Sequence, residues 1–285
     1  QWCVFPNFNE IRKYTGVNKA KNFEIFRDIL NDNHMGGQSY DFMMASGKLQ
    51  ALCYKHEIEK TLRTPDYAGF QLLALNDYSG QGTALVGVLD VFFEEKGYIN
   101  AEQFRRFCSP TVPLARIPKF VYANDETFHA DIEVSHFGAA PLQGAKTSYT
   151  IKDKFGKVYA KGTVGTQTIP IGNLCALGSM DMSLKGIDTP QKLNLEVCIE
   201  GSDAVNDWDF WVYPQIEELD SPQIITCLDE CAEDRLRSGE RLLLLPENIP
   251  DSIPGVFTTV FWNPQMKKQT GTFGICCEPS IPALK

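Results

Sequence analysis

Asn76, Asp77 and Tyr78 are the residues of this chain best placed to do chemistry. They close the apolar run Phe70–Leu75 and precede a Gly80-Gln81-Gly82 turn. Short amide and carboxylate side chains at such a point can grip hydroxyl groups. The competing reading is local: Asp77 caps the turn and Asn76 merely ends the strand. An apolar run without alternation reads as a buried parallel strand. Polar groups at the carboxyl end of such a strand are where barrel and open-sheet enzymes place their sites. Trp2, Phe5, Pro6 and Phe8 add an aromatic cluster. Aromatic rings beside amides and carboxylates suit the C–H faces of sugars, with core packing as the alternative.

Other chemistries lack their residues. The chain has no P-loop, no G-x-G-x-x-G, no H-E-x-x-H and no G-x-S-x-G pattern. Its four histidines, His34, His56, His129 and His136, have no nucleophile at useful spacing. Nine cysteines are scattered along the chain, which is not a small disulfide framework. Cys227 and Cys231 could be half of a metal site, but no His is near, and buried apolar thiols are the expected state. Cys276-Cys277 could form a vicinal disulfide or stay two thiols. These residues therefore point to no metal and no cofactor.

Composition narrows the partners. The apolar fraction is 43% and the charged fraction 22%, as in an ordinary soluble globular protein. A net charge of −9 is the wrong sign for nucleic acid and for anionic membranes. No apolar run is long enough to cross a bilayer.

Three regions must position the candidate residues. Residues 1–112 read as helices around one or two strands. Phe23, Phe26 and Leu30 share a helical face over 22–30. Phe42, Ala45, Leu49, Leu52, Ile58 and Leu62 form a stripe over 40–62 that Pro65 ends. Residues 83–93 fit loop, strand or helix. Asn100 and Gln103 form a capping box that opens a short helix. Residues 113–215 alternate. Phe128, Ala130, Ile132 and Val134 face one way with His129 on the solvated side, and Leu193, Leu195, Val197 and Ile199 repeat the pattern. Asp153-Lys154-Phe155-Gly156 is a hairpin turn. Trp208, Trp211 and Tyr213 are expected to plug a sandwich core or a domain interface. Short strands in this number make an immunoglobulin-type sandwich. Residues 216–285 hold one βαβ unit: Ile224-Ile225, a helix from about Asp229 to Gly239, and Arg241–Leu245 as a buried parallel strand. Both ends read as cut.

Several segments resemble a known family. They are Gln1-Trp-Cys-Val-Phe-Pro-Asn-Phe8, Lys13–Gly16, Arg63-Thr64, Gly69–Leu73, Gly80–Gly87, Phe104–Cys108, Trp211–Pro214 and Val260–Asn263. Together they resemble the C-terminal half of bacterial glycoside hydrolase family 2-like proteins, the β-galactosidase, β-glucuronidase and β-mannosidase relatives. The resemblance implies a (β/α)8 barrel flanked by immunoglobulin-like sandwiches. It also implies retaining hydrolysis by two glutamates about 5–5.5 Å apart. It places Gln1-Trp2 just after the seventh barrel strand and Phe70–Leu75 on the eighth, so neither glutamate maps onto this chain. Trp2, Asn76, Asp77, Tyr78 and Gln81 would line the carbohydrate site.

The fold expected is thus a partial (β/α) barrel remnant over 1–112, an immunoglobulin-like β-sandwich over 113–215 and an incomplete α/β segment over 216–285. The function expected is that of part of a retaining glycosidase acting on β-linked glycosides. A non-catalytic carbohydrate-binding or scaffold module is the alternative. The expected partner is a carbohydrate, not nucleic acid or membrane, with a homo-oligomer possible. The resemblance implies a periplasmic or secreted location.

Overall fold

The computed structural model describes residues 2–78, 85–215 and 222–251. A β-sandwich dominates. One sheet has strand order β1-β3-β6, with β1 (Thr111–Arg116), β3 (Thr127–His136) and β6 (Gly172–Ser183) all antiparallel. The other has order β2-β8-β7-β4-β5, built from β2 (Val121–Ala123), β4 (Leu142–Asp153), β5 (Val158–Ile169), β7 (Gln191–Ile199) and β8 (Val205–Tyr213). β2 is a short edge strand running parallel to β8, with Val121 opposite Trp211.

The alternating residues meet where their period requires. Phe128, Ala130, Ile132 and Val134 project from one sheet, and Leu193, Leu195, Val197, Phe210 and Val212 from the other, all essentially without solvent contact. Each such large apolar side chain contributes roughly 1.5–3 kcal/mol. Phe128 stacks on Phe210 with centroids 4.0 Å apart, and Tyr122 meets both rings edge-on. The β4–β5 hairpin turns at the predicted residues. Asp153 Oδ1 accepts from the backbone N–H groups of Phe155 and Lys157, and Gly156 takes the left-handed φ of 85° that the turn needs.

The alternation of β3 fails at its far end. Glu133 and Ser135 are buried as well as their core-facing neighbours, Glu133 against Arg63 from the N-terminal region and Arg116 of β1. Trp211 and Tyr213 depart from expectation in the opposite sense. They are 37% and 40% exposed on the outer face, while Trp208 and Phe210 fill the core.

The N-terminal region is helical. A 3-10 segment Phe8–Lys13 leads to α1 (Lys21–Asp32), the long α2 (Ser39–Leu62) and the short α3 (Ala101–Arg105). The capping box forms: the Asn100 side chain accepts from the Gln103 N–H, and Gln103 Oε1 accepts from the Asn100 N–H. The stripe expected on α2 is only partly the buried face: Ile58 is buried, and Phe42, Ala45, Leu49 and Leu62 are half-buried. Leu52 is exposed, whereas Met43, Ser46, Gly47, Gln50, Tyr54, Ile58 and Glu59 are covered. Ser46, Gly47 and Gln50 on this face are small or polar, which lets other backbone approach closely and bond to it.

The barrel-remnant expectation is corrected here. Phe70–Leu75 is not a strand, and Phe70, Leu73 and Leu75 are exposed. The single parallel link is at Asn76–Leu89, where Asp77 N–H donates to Leu89 O and Leu89 N–H to Leu75 O. An apolar run sets up a buried parallel strand only when both faces are covered. Among the described residues no strand flanks this one along its length, and no βα array forms.

In the C-terminal segment β9 (Gln223–Ile225) and β10 (Leu242–Leu244) pair in parallel around α4 (Glu230–Arg237). Asp229 caps α4 through the Ala232 N–H. The βαβ order matches expectation, but burial does not: Leu243, Leu244 and Leu245 are exposed. Cys227 and Cys231 are exposed too, against the expectation of buried thiols. Cys276 and Cys277 lie outside the described residues.

Candidate functional site

The segment Asn76-Asp77-Tyr78 rests on a buried polar platform. Asp77 is 2% exposed and both its oxygens are engaged. Oδ1 accepts from the Gly87 N–H at 2.9 Å, and Oδ2 pairs with Lys96 Nζ at 2.7 Å. Burial pushes the Asp77 carboxyl up, against the pull of Lys96 and the Gly87 amide. Lys96 Nζ also donates to Gly87 O at 2.7 Å. Gly87 is fixed in type by this approach, since a Cβ there would overlap the Asn76 and Asp77 backbone.

Helix α2 supplies the floor. Gln50 Nε2 donates to Trp2 O and Val86 O at 2.7 and 2.8 Å, and Tyr54 OH donates to Val86 O. Tyr98 OH donates to Gln50 Oε1 at 2.6 Å. The Tyr98 ring lies against Gly47, where any Cβ would overlap it. Desolvation raises both tyrosine hydroxyls well above their ordinary range, so they act as neutral donors. The first strand-like residues are tied on by Val4 N–H to Leu85 O and Phe5 N–H to Ser46 Oγ. On the outer side Lys13 bridges Asp90 and Glu94, each at 2.7 Å. This holds the Asp90 carboxyl below its usual range despite its burial.

The five expected carbohydrate residues therefore have different surroundings. Asp77 is sealed in its ion pair. The Asn76 amide donates to Asp77 O. Trp2 is half-buried, with Nε1 donating to Glu57 Oε2 at 3.3 Å. Tyr78 is 65% exposed. Gln81 lies outside the described residues. Phe5 packs edge-on against Phe8 and Phe42, so this part of the aromatic cluster is core.

A second charged centre joins the helices to the sandwich. Glu59 of α2 is buried and fully used. Oε1 takes Lys55 Nζ at 2.5 Å and Asn206 Nδ2 at 2.8 Å; Oε2 takes Trp208 Nε1 at 3.0 Å and Arg63 at 3.2 Å. Arg63 reaches on to Ala115 O and lies 3.4 Å from Glu133. Lys55 also bonds Asn206 and sits 4.8 Å over the Trp208 ring. Burial lowers the Lys55 ammonium, with Glu59 opposing that shift.

Sequence reasoning missed Glu10, Gln50, Lys55, Glu59 and Lys96. For Glu59 a signal exists: Lys55, Glu59 and Arg63 repeat at i,i+4 beside the buried Ile58 position. Lys96, nineteen residues from its partner, offers no local pattern. Among the described residues no group of His, Cys, Asp or Glu is arranged to hold a metal, and no helix is long and apolar enough to cross a membrane.

A family described as Domain of unknown function DUF8488 matches residues 126–214, and another, DUF8487, matches 223–285. No curated protein sequence matches. Among solved structures the chain is similar to a β-glucuronidase from Parabacteroides merdae, at 15% identity and TM-score 0.25 over 36% of this chain and 14% of that one. It is similar to the CARDB domain of the PF1109 protein from Pyrococcus furiosus, at 13% identity and TM-score 0.27 over 37% and 94%. It is also similar to the Pseudomonas fluorescens alkylpurine DNA glycosylase AlkC, at 9% identity and TM-score 0.30 over 72% and 50%. The chain thus spans about 14% of the glucuronidase's length.

Proposed function

We propose that this chain is part of a retaining glycosidase acting on β-linked glycosides. In this reading it contributes an immunoglobulin-like sandwich and one rim of the sugar site but no catalytic glutamate. The motif resemblance from Gln1-Trp2 through Trp211–Pro214 supports the family. One structural observation supports the rim: the Asp77–Lys96 pair and the Gly87 amide anchor the chain at Asp77, next to the exposed Tyr78. Tyr78 and Trp2 would then stack on sugar C–H faces, with Gln81 adding hydrogen bonds. Asn76 and Asp77 would position Tyr78 rather than donate to the ligand. A periplasmic or exported site of action follows from the same resemblance.

The alternative, a non-catalytic carbohydrate-binding or scaffold module, uses the same rim without chemistry. Turnover separates them. The chain produced together with its encoded upstream region should hydrolyse aryl β-glycosides, and the 285-residue chain alone should not. In the longer protein Tyr78→Ala should raise KM more than it lowers kcat. A longer protein that binds sugar without hydrolysis would favour the module. Hydrolysis by the isolated chain would overturn the assignment of catalysis to residues outside it.

A further inference from the structure

Glu10 is the most anomalous group in the molecule. It sits in the 3-10 segment Phe8–Lys13 and is 0% exposed. Among the described residues neither of its carboxyl oxygens has a hydrogen-bond partner. The charged groups that act on it are Lys96, Asp77, Asp90 and, from its own segment, Lys13; the Tyr14 hydroxyl is also within its influence. Both lysines are already committed. Lys96 neutralises Asp77, and Lys13 lies between Asp90 and the exposed Glu94. An ionised Glu10 would be a third buried carboxylate facing two ammonium groups that are already paired. Such a charge, without a partner or a hydrogen bond, is among the costliest things a protein interior can hold.

We propose that Glu10 is a proton-operated latch: as a neutral acid it seats the N-terminal segment on the platform, and on losing its proton it releases that segment. The contacts released would be Val4 N–H to Leu85 O, Phe5 N–H to Ser46 Oγ and Trp2 O to Gln50. The seated segment also buries Cys3, whose thiol desolvation pushes up to about 12.

Desolvation raises the Glu10 carboxyl from 4.5 to about 7, with Lys96 pulling back and Asp77 and Asp90 adding to the rise. The folded group therefore keeps its proton where the released group loses it. The stability it contributes is fully present below pH 4.5. It falls as pH climbs from there toward 7, and above 7 the whole penalty applies. The latch is closed in mildly acidic surroundings and weakened in alkaline ones. It is independent of the glycosidase reading.

Amide hydrogen exchange tests it, with each rate corrected for the intrinsic effect of pH. Val4 and Phe5 should lose roughly a hundredfold protection between pH 5 and pH 8.5, because the balance of seated and released segment moves about tenfold per pH step while only the released Glu10 is ionised. Ile132 and Leu195 in the sandwich core should change little. Glu10→Gln should keep Val4 and Phe5 protected at both pH values. Equal wild-type protection at both, or a pH dependence that survives Glu10→Gln, would overturn the latch. Should that variant not fold, carbon NMR of the wild-type side chain decides: a Glu10 carboxyl titrating near 7 supports the latch, and one titrating near 4.5 refutes it.

Discussion

The sandwich and the helical region beside it are stabilised by opposite means. The sandwich encloses one continuous apolar core from Tyr122 and Phe128 to Phe210 and Val212. Among the described residues the helical region has small apolar clusters, Val4–Met43–Tyr98 and Ala20–Phe23–Leu85. Beside them it buries a set of polar and charged groups, Glu10, Gln50, Glu59, Asp77, Asp90 and Lys96. Apolar packing is non-directional and tolerates imperfect geometry. A buried ion pair is a different kind of support, because removing one partner strands the other in low dielectric. The helical region should therefore be more sensitive to single polar substitutions and to pH, and the sandwich to lost volume.

A large effect is expected in the sandwich. Phe210→Ala removes a ring stacked on Phe128 and touched by Tyr122. It should cost about 3–5 kcal/mol in a denaturant titration. A loss below about 1 kcal/mol would mean that the core can collapse around the gap, and that the sandwich depends less on volume than its packing implies.

A smaller effect tests the platform without touching its charges. Gly87→Ala forces a methyl group into the Asn76–Asp77 backbone. The strain should cost about 1–3 kcal/mol. It should raise amide exchange at Asp77 and Leu89 while β7 and β8 remain protected. Uniform loosening of both regions would show that the two do not differ in this way.

The smallest effect is at the surface. His129 bonds Asp181 and Asp131 on the outer face of β3, at 2.8 and 3.2 Å. The Asp181 hydrogen bond holds the imidazolium above its ordinary range. That contribution is present below pH 6.5 and lost as pH rises through the folded value. Asp181→Asn should lower the His129 titration seen by NMR, yet change stability by less than about 0.5 kcal/mol, because exposed pairs are screened. A larger change would show that surface charge matters to the sandwich too.

The same contrast explains what could be read from the sequence. Period-two alternation at Phe128–Val134 and Leu193–Ile199 announces strands because each side chain independently prefers one face. The Asn100 capping box and the Asp153–Gly156 turn are local and equally legible. Phe70–Leu75 misled because continuous apolar character reports a buried strand only if neighbours cover it. The α2 stripe misled in part, because Ser46, Gly47 and Gln50 make a contact face that hydrophobicity does not register. Asp77 is expected to grip hydroxyl groups or cap a turn, and its buried pairing with Lys96 is neither. Lys96 was not legible as its partner, since pairing at that separation is decided by the tertiary fold. Glu10 was invisible: nothing in its neighbours marks an acid that will be sealed from water.

The Asp77–Lys96 pair is what the platform depends on most, and a double-mutant cycle measures it directly. Asp77→Asn and Lys96→Met should each destabilise the protein by roughly 3–5 kcal/mol, because each leaves a buried group without its counterion. The double variant should lose clearly less than the sum of the two, giving a coupling of about 1–3 kcal/mol. Single losses below about 1 kcal/mol that simply add would contradict this, for they would mean that the buried charges do not support the platform.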